Sequence, residues 1–438
     1  MFEIIEFSLV GIFSVVVAFS LVIFVHEFGH YYVGKKCGIG VNEFSIGFGP
    51  KIFWFKDKSG VIWKFSLLPL GGFVRFEGDA DPSSMRKTIN KNNCPSKQFH
   101  DASILARFLT ILAGPFANIV FSILLFSSLI FLNGITNDEP IIGEVDTSPF
   151  QNLDIRKGDK VLSINGQATD SFSDIFKKYG EQVNYGSLDI LVKRGEKTLR
   201  VKVSNLFQPI VKDVEVLSPA SRAGIQVGDL ILKVDSKRVS SFAELKSLVQ
   251  NSFGKPLILD IWRNGIEIQK TLAPESRPIE KADGSLVETL RIGIIGGFAL
   301  EPERETPSIY VAVKLGLSTT WRVIYGSIKG LAEIIKGSIS ANHLTGPIGI
   351  AHAITDVSKS GIVPFFSLVA LISTGIAVIN LFPLPILDGG HLLLIIYEKI
   401  SGNRPSERFM QIFMMFGLAL ILSLMLFATY NDILRIIL

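Results

Sequence analysis

Cysteine is scarce in this sequence. Only Cys37 and Cys94 occur in 438 residues, and neither belongs to a C-x-x-C pair. That excludes a disulfide-stapled fold and a cysteine-rich zinc site. A bridge between the two is not expected either, because both fall in a stretch assigned below to the reducing cytosol. Charge is also sparse, at 19% of residues, and the net charge of +4 is spread along the chain without a basic run, which excludes nucleic-acid partners. What fills the space is apolar: 48% of residues are hydrophobic and the mean hydropathy is +0.40. Apolar spans beside ordinary soluble segments explain that balance.

The apolar residues are concentrated. Residues 7–25 carry no charge and run straight into His26-Glu27-Phe28-Gly29-His30. A cleaved signal peptide would show a basic start and a small-residue cleavage site. Here the start carries Glu3 and Glu6 with no Lys or Arg, so 1–36 is expected to be a retained first transmembrane helix. A second span is expected within 103–133. A third lies in 363–397, interrupted by Asn-Leu-Phe-Pro-Leu-Pro-Ile-Leu-Asp-Gly-Gly at 380–390, and a fourth lies in 398–438. The loop before the second span supplies the orientation: residues 31–102 hold eleven Lys/Arg against six Asp/Glu, which places that loop in the cytoplasm. Lys399, Arg404 and Arg408 place the last loop on the same side. The long segment between the second and third spans then faces outward.

That outer segment repeats itself. Ser148-Pro149 recurs as Ser218-Pro219; Ile155, Gly158, Asp159 and Leu162 recur as Ile225, Gly228, Asp229 and Leu232; Ser171-Phe172 recurs as Ser241-Phe242, and Gly195 as Gly265. All these pairs are 70 positions apart, so the copies align without a gap, which implies two small tandem β-rich domains, 134–205 and 206–300. Residues 301–362 follow, with Lys314, Arg322, Lys329, Glu333 and Lys336 spread through apolar stretches. They are expected to form amphipathic helices on the membrane surface.

The chemistry concentrates at H-E-x-x-H. On a helix, residues i and i+4 share a face, so His26 and His30 reach one ion while Glu27 stands beside it to polarise water. A catalytic zinc site uses three protein ligands and leaves a position open. Two candidates for the third are Asp388 and His391, both in the third span, and Asp388 is preferred because it lies deeper along the apolar run. His100, His343 and His352 stand in polar or loop contexts. Ligands of one ion share a depth, so the first and third spans must both run inward, and a single extra crossing between 133 and 362 is excluded. Within 37–102, residues 41–76 read as a β-hairpin around Asp57-Lys58-Ser59-Gly60. Its apolar surface suits a sheet edge dipping into the bilayer, able to hold an unwound substrate segment by strand addition.

Taken together, HEFGH at 26–30, GFGP at 47–50, AGPFAN at 113–118, the tandem repeat, TGPIGIA at 345–351 and NLFPLPILDGG at 380–390 resemble the site-2 protease family of intramembrane metalloproteases. The resemblance implies zinc (Zn2+) held by His26, His30 and Asp388, with Glu27 as catalytic base and Asn380, Pro383 and Pro385 in contact with substrate. It implies that the repeats are circularly permuted PDZ-like α/β domains facing the periplasm of a bacterium, in a four-span helical protein of the inner membrane. The implied substrates are single-span membrane proteins already trimmed outside, such as an anti-sigma factor, and remnant signal peptides. Neither repeat contains a Gly-Leu-Gly-Phe loop, although Leu290-Arg291-Ile292-Gly293-Ile294 could stand in as a permuted counterpart. Oligomeric state is left open. Two rival readings fit less well. A metal transporter needs ionisable residues along several spans, whereas here they cluster at one depth. A membrane-anchored PDZ adaptor gives Glu27 nothing to do.

Overall fold

A computed structural model describes residues 9–78, 97–145, 154–182, 187–204, 206–280 and 286–437. Glu3, Glu6, Cys94 and Ser148-Pro149 lie outside the described residues. The chain forms two compact units, one of Met1–Ile130 with Ile309–Leu438 and one of Phe131–Ser308.

The first unit opens with α1 (Leu9–Lys36), whose buried positions Gly11, Ser14, Ala18, Val22 and His26 recur at helical spacing on one face. Strands β1 (Val41–Lys56) and β2 (Ile62–Phe76) then pair antiparallel, with several register shifts along the ladder. In the connecting turn the Asp57 carboxylate accepts from the backbone N–H groups of Ser59 and Val61 and from Trp63 Nε1. Phe48, Ile52, Phe53, Trp54, Phe55, Leu67 and Leu68 remain exposed on this hairpin. Helix α2 (Ile104–Asn133) carries Pro115 in its interior. Small residues let α1 and α2 touch: a Cβ on Gly29 would lie 2.3 Å from the Ala113 carbonyl oxygen.

The second unit is built twice. Its elements are β3 (Ile135–Thr136), β4 (Ile142–Val145), β5 (Lys160–Ile164), β6 (Gln167–Ala168), α3 (Phe172–Gln182), β7 (Ser187–Arg194) and β8 (Lys197–Ser204), then β9 (Val211–Val214), α4 (Pro219–Arg222), β10 (Leu230–Val234), β11 (Lys237–Arg238), α5 (Phe242–Gln250), β12 (Leu257–Arg263) and β13 (Ile266–Leu272). The sheets have matching orders, β6-β5-β7-β8 and β11-β10-β12-β13. Each covers its own apolar core: Val161, Ile164, Ile190 and Val192 in one, Ile231, Val234, Leu259 and Ile261 in the other. The hairpin of β14 (Glu275–Glu280) and β15 (Leu286–Arg291) leads to β16 (Ile294–Gly296), β17 (Leu300–Pro302) and β18 (Arg304–Glu305).

Two expectations about this repeat need correction. The 70-residue offset does not hold throughout. Lys160 pairs with Lys193 in the first copy, and Leu230 pairs with Trp262 in the second. From β7 onward the offset is therefore 69, and the partner of Arg194 is Arg263. Cross-strand pairing and a buried Asp set the register here, so the match of Gly195 with Gly265 is a coincidence of letters. The two domains are also not simply in tandem. β16 pairs with β9 in the second copy, but β17 returns to pair with β4 and β18 with β3. Phe298, Ala299 and Leu300 fill the core of the first copy. The second copy is thus inserted into the first, and the first is completed by residues 298–305.

The first unit resumes with α6 (Ile309–Lys336), α7 (Pro347–Lys359), α8 (Ile362–Asn380), α9 (Asp388–Ser401) and α10 (Glu407–Ile437). α7 packs against α1, α8 and α10, with Ile354 beside Val22 and Val369 in a shared core. Its first turn is held by Asp432 of α10, which accepts from the backbone N–H groups of Gly346 at 3.0 Å and Gly349 at 2.8 Å. The interrupted third span is two helices, α8 and α9, separated by 381–387. Gly389 and Gly390 make the reversal possible, because a Cβ on either would lie within about 2.3 Å of the Phe382 or Leu384 carbonyl oxygen. Among the described residues four helices, α1, α2, α8 and α10, are long and apolar enough to cross a membrane.

Candidate metal centre

Three elements bring the centre together. α1 presents His26 and His30 one turn apart, α9 presents Asp388 from its first turn, and α2 closes the site from behind. His26 Nε2 and His30 Nε2 lie 3.2 Å apart. Asp388 Oδ2 lies 3.2 Å from the first and 3.5 Å from the second. Asp388 Oδ2 is buried and has no hydrogen-bond partner, and the three atoms lie within 4.8 Å of one another. Among the described residues this is the one group of three such side chains able to hold a metal ion. A tetrahedral zinc site with bonds of about 2.0–2.1 Å has ligand-to-ligand edges of about 3.3–3.4 Å. The three observed edges fit that geometry, and two imidazoles with one carboxylate are a donor set zinc accepts. His391, on the same helix as Asp388, is not part of the cluster.

Glu27 is buried beside the cluster without belonging to it. Strand β2 holds it, with the Val74 backbone N–H donating to its carboxylate. Gly72 on the same strand leaves the room: a Cβ there would come 3.0 Å from Glu27 Cγ and 2.8 Å from Ile23. Asn380, the last residue of α8, puts its side-chain amide 3.4 Å from His26 Nε2. Pro383 is exposed in the break between α8 and α9, whereas Pro385 is buried and lies against the backbone of Gly417 on α10.

The contribution of α2 goes beyond the sequence block 113–118. His30 Nδ1 lies 2.9 Å from the Thr110 carbonyl oxygen, and His26 Nδ1 lies 3.4 Å from the Asn118 amide. Gly114 leaves space for a ring, since a Cβ there would meet His30 Nε2 at 2.2 Å. A Gly-Pro pair and an Asn in an otherwise apolar span were the available signal. Glycine permits close approach, and a buried amide needs a partner.

Comparison with known proteins decides the family. The description of peptidase family M50 matches residues 14–424. This chain belongs to that family. It is 32% identical to the regulator of sigma-E protease RseP of Escherichia coli, over 97% of this chain and 98% of that protein. Its identity to the RseP of Salmonella typhimurium is 31%, over 96% of this chain and 98% of that one. A Mesorhizobium japonicum protein named as a zinc metalloprotease is 31% identical over 94% of this chain and 96% of its own length. The chain is accordingly a zinc-dependent metalloprotease of the site-2 type, with four helices able to span a membrane.

Proposed function

We propose that the protein hydrolyses peptide bonds within transmembrane segments of single-span membrane proteins already trimmed outside, with anti-sigma factors as the substrate class. Remnant signal peptides are a second class with the same chemistry. The observation that carries the reading is the convergence of His26, His30 and Asp388 at zinc-like spacing, with Glu27 buried next to them on an apolar helix. His26, His30 and Asp388 are the zinc ligands. Zinc there supplies a Lewis acid that polarises a peptide carbonyl and acidifies water.

The residues of this chain do the rest. Glu27 takes a proton from the attacking water and passes it to the departing amine nitrogen, while the Val74 N–H keeps its carboxylate in place. The Asn380 amide donates to the substrate beside the scissile bond. A transmembrane helix hides its carbonyls in its own hydrogen bonds, so cleavage needs an extended segment. The hairpin of β1 and β2 supplies strand edges next to Glu27, and its exposed aromatic face sits in the apolar part of the bilayer. The duplicated unit is a pair of PDZ-like domains, the second inserted into the first. It lies on the periplasmic side of a bacterial inner membrane, with the metal centre near the cytoplasmic side, a reading supported by the Lys/Arg balance of the loops.

The test uses purified wild-type protein and Glu27→Gln on a single-span substrate with and without its outer domain. Glu27→Gln should keep zinc and fold while losing cleavage by about 10²–10⁴-fold, the usual contribution of a positioned acid–base group. Normal turnover by this variant would remove Glu27 from the mechanism.

A further inference from the structure

Both candidate ligands of α1 turn their second ring nitrogen toward one helix. His30 Nδ1 meets the carbonyl oxygen of Thr110 at 2.9 Å. A carbonyl only accepts, so that nitrogen carries the proton and leaves Nε2 bare toward Asp388. His26 presents the same problem eight residues further along α2. Its Nε2 faces His30 Nε2 and Asp388 Oδ2, and a ligand nitrogen must be unprotonated, which puts the proton on Nδ1. The group facing that Nδ1 is the Asn118 amide, 3.4 Å away. Asn118 is fully buried, and its Oδ1 has no hydrogen-bond partner. The two ends of an amide exchange on a half-turn about its last torsion.

We propose that Asn118 is a positioning residue for the metal centre. Its Oδ1 accepts the Nδ1 proton of His26, as the Thr110 carbonyl accepts that of His30, so that α2 fixes both imidazoles in the tautomer whose Nε2 is free to bind metal. The proposal rests on His26 and His30 being ligands.

Asn118 is held for this task. Its main-chain carbonyl accepts from Ser122 Oγ at 2.9 Å and from Ser373 Oγ of α8 at 3.1 Å, and Ser122 Oγ also reaches the Ala370 carbonyl at 3.0 Å. These hydroxyls tie α2 to α8, so the amide is placed before any metal arrives. An outer partner of this kind orients the ring and raises its basicity as a ligand.

The experiment measures zinc affinity by chelator competition on full-length purified protein, for wild type, Asn118→Leu, Asn118→Asp and His26→Ala. Leucine matches the amide in size and accepts nothing, so Asn118→Leu should weaken zinc about 10–100-fold. Aspartate keeps the acceptor and should stay close to wild type. A purely structural role would instead lower the melting temperature of the zinc-free protein, which should be alike for wild type and Asn118→Leu. The proposal is overturned if Asn118→Leu keeps wild-type affinity, if Asn118→Asp falls as far as the leucine variant, or if the zinc-free leucine variant melts early in proportion to its zinc loss. His26→Ala separates this failure from failure of the ligand reading. If His26→Ala retains zinc, His26 is not a ligand; if it loses zinc while Asn118→Leu does not, Asn118 alone is discharged from the role.

Discussion

The duplicated unit and the metal centre bury carboxylates in opposite ways. In the duplicated unit, Asp159 takes Arg194 through Nε and an Nη nitrogen at 2.8 Å each and a backbone N–H from Arg156. Asp229 repeats the pattern with Arg263 and Gln226. Both oxygens of each carboxylate accept, and the pairs lock a loop to a strand. In the membrane unit, Asp388 Oδ2 and Asn118 Oδ1 are buried without hydrogen-bond partners, both beside His26. An unsatisfied buried polar atom costs about 1–3 kcal/mol. Both atoms stand beside one imidazole, within the cluster proposed above to hold zinc.

The sharpest way to break this contrast is to remove the carboxylate itself. Asp388→Ala should weaken zinc by more than about 100-fold, beyond the loss expected for an outer partner, whereas His391→Ala should change it by less than about tenfold. Elemental analysis and chelator competition on both variants decide it, and the reverse order would transfer the ligand role to His391. Close approach gives the next largest effect. Gly114→Ala places a Cβ 2.2 Å from His30 Nε2, so the ring must move, zinc should be lost by about tenfold or more, and stability should fall by about 1–3 kcal/mol from overpacking. Gly195→Ala in the duplicated unit meets nothing within 4 Å and carries only the strain of a φ of +59°. It should cost about 1–2 kcal/mol and leave zinc binding untouched. Equal zinc loss from both substitutions would show that the site is not specially packed.

How much of this was legible in the sequence follows from what each feature depends on. The four apolar helices and H-E-x-x-H depend on local composition and on spacing within one helix, and both could be read directly. Asp388 could be nominated because depth is counted along a span. The contribution of α2 could not, since Thr110 acts through a carbonyl that every residue has, and Asn118 through a partner 92 positions away. The nested order of the duplicated unit was hidden for a similar reason. Residues 300–302 pair with β4 across more than 150 positions, and such pairing has no periodicity of its own. The one-residue slip between the copies falls between α5 and β12, and it becomes visible only when Arg194 and Arg263 are seen on equivalent carboxylates.

Those arginines allow the contrast to be tested from the other side. Arg194→Ala leaves Asp159 buried without its counter-charge and should destabilise the duplicated unit by about 3 kcal/mol at neutral pH, with zinc content unchanged. The sign of the pH dependence follows from the carboxyl. Burial alone would raise it, but Arg194 and the Arg156 N–H hold it below the usual range. A carboxyl depressed in the folded state stabilises above its unfolded value of about 3.9 and loses that stability as the pH falls through the lower folded value. The difference in melting temperature between wild type and Arg194→Ala should therefore be full at pH 7 and shrink below about pH 4. A constant difference across that range would mean the arginine acts by packing alone.

The smallest effect on the metal centre is expected from the largest change to the chain. Replacing residues 134–305 with a short linker removes the whole duplicated unit, including the returning strands β17 and β18, which a cut at 300 would strand without partners. None of His26, Glu27, His30 or Asp388 lies there, and the unit to which they belong has its own contacts, so zinc content should match wild type. What should change is substrate choice. If the duplicated domains discriminate by the size of a substrate's outer portion, the shortened enzyme should cut trimmed substrates at wild-type rate and untrimmed ones as well. If they recruit substrate through a peptide-end groove, the shortened enzyme should instead lose activity on trimmed substrates through lost effective concentration. Two copies without a Gly-Leu-Gly-Phe loop favour discrimination by size. The measurement is cleavage of matched trimmed and untrimmed substrates by both enzymes at equal zinc content. A shortened enzyme that still spares the untrimmed substrate would reject the size filter. One that loses zinc would show that the two units are not independent, and the contrast between their buried carboxylates would then describe a single cooperative structure.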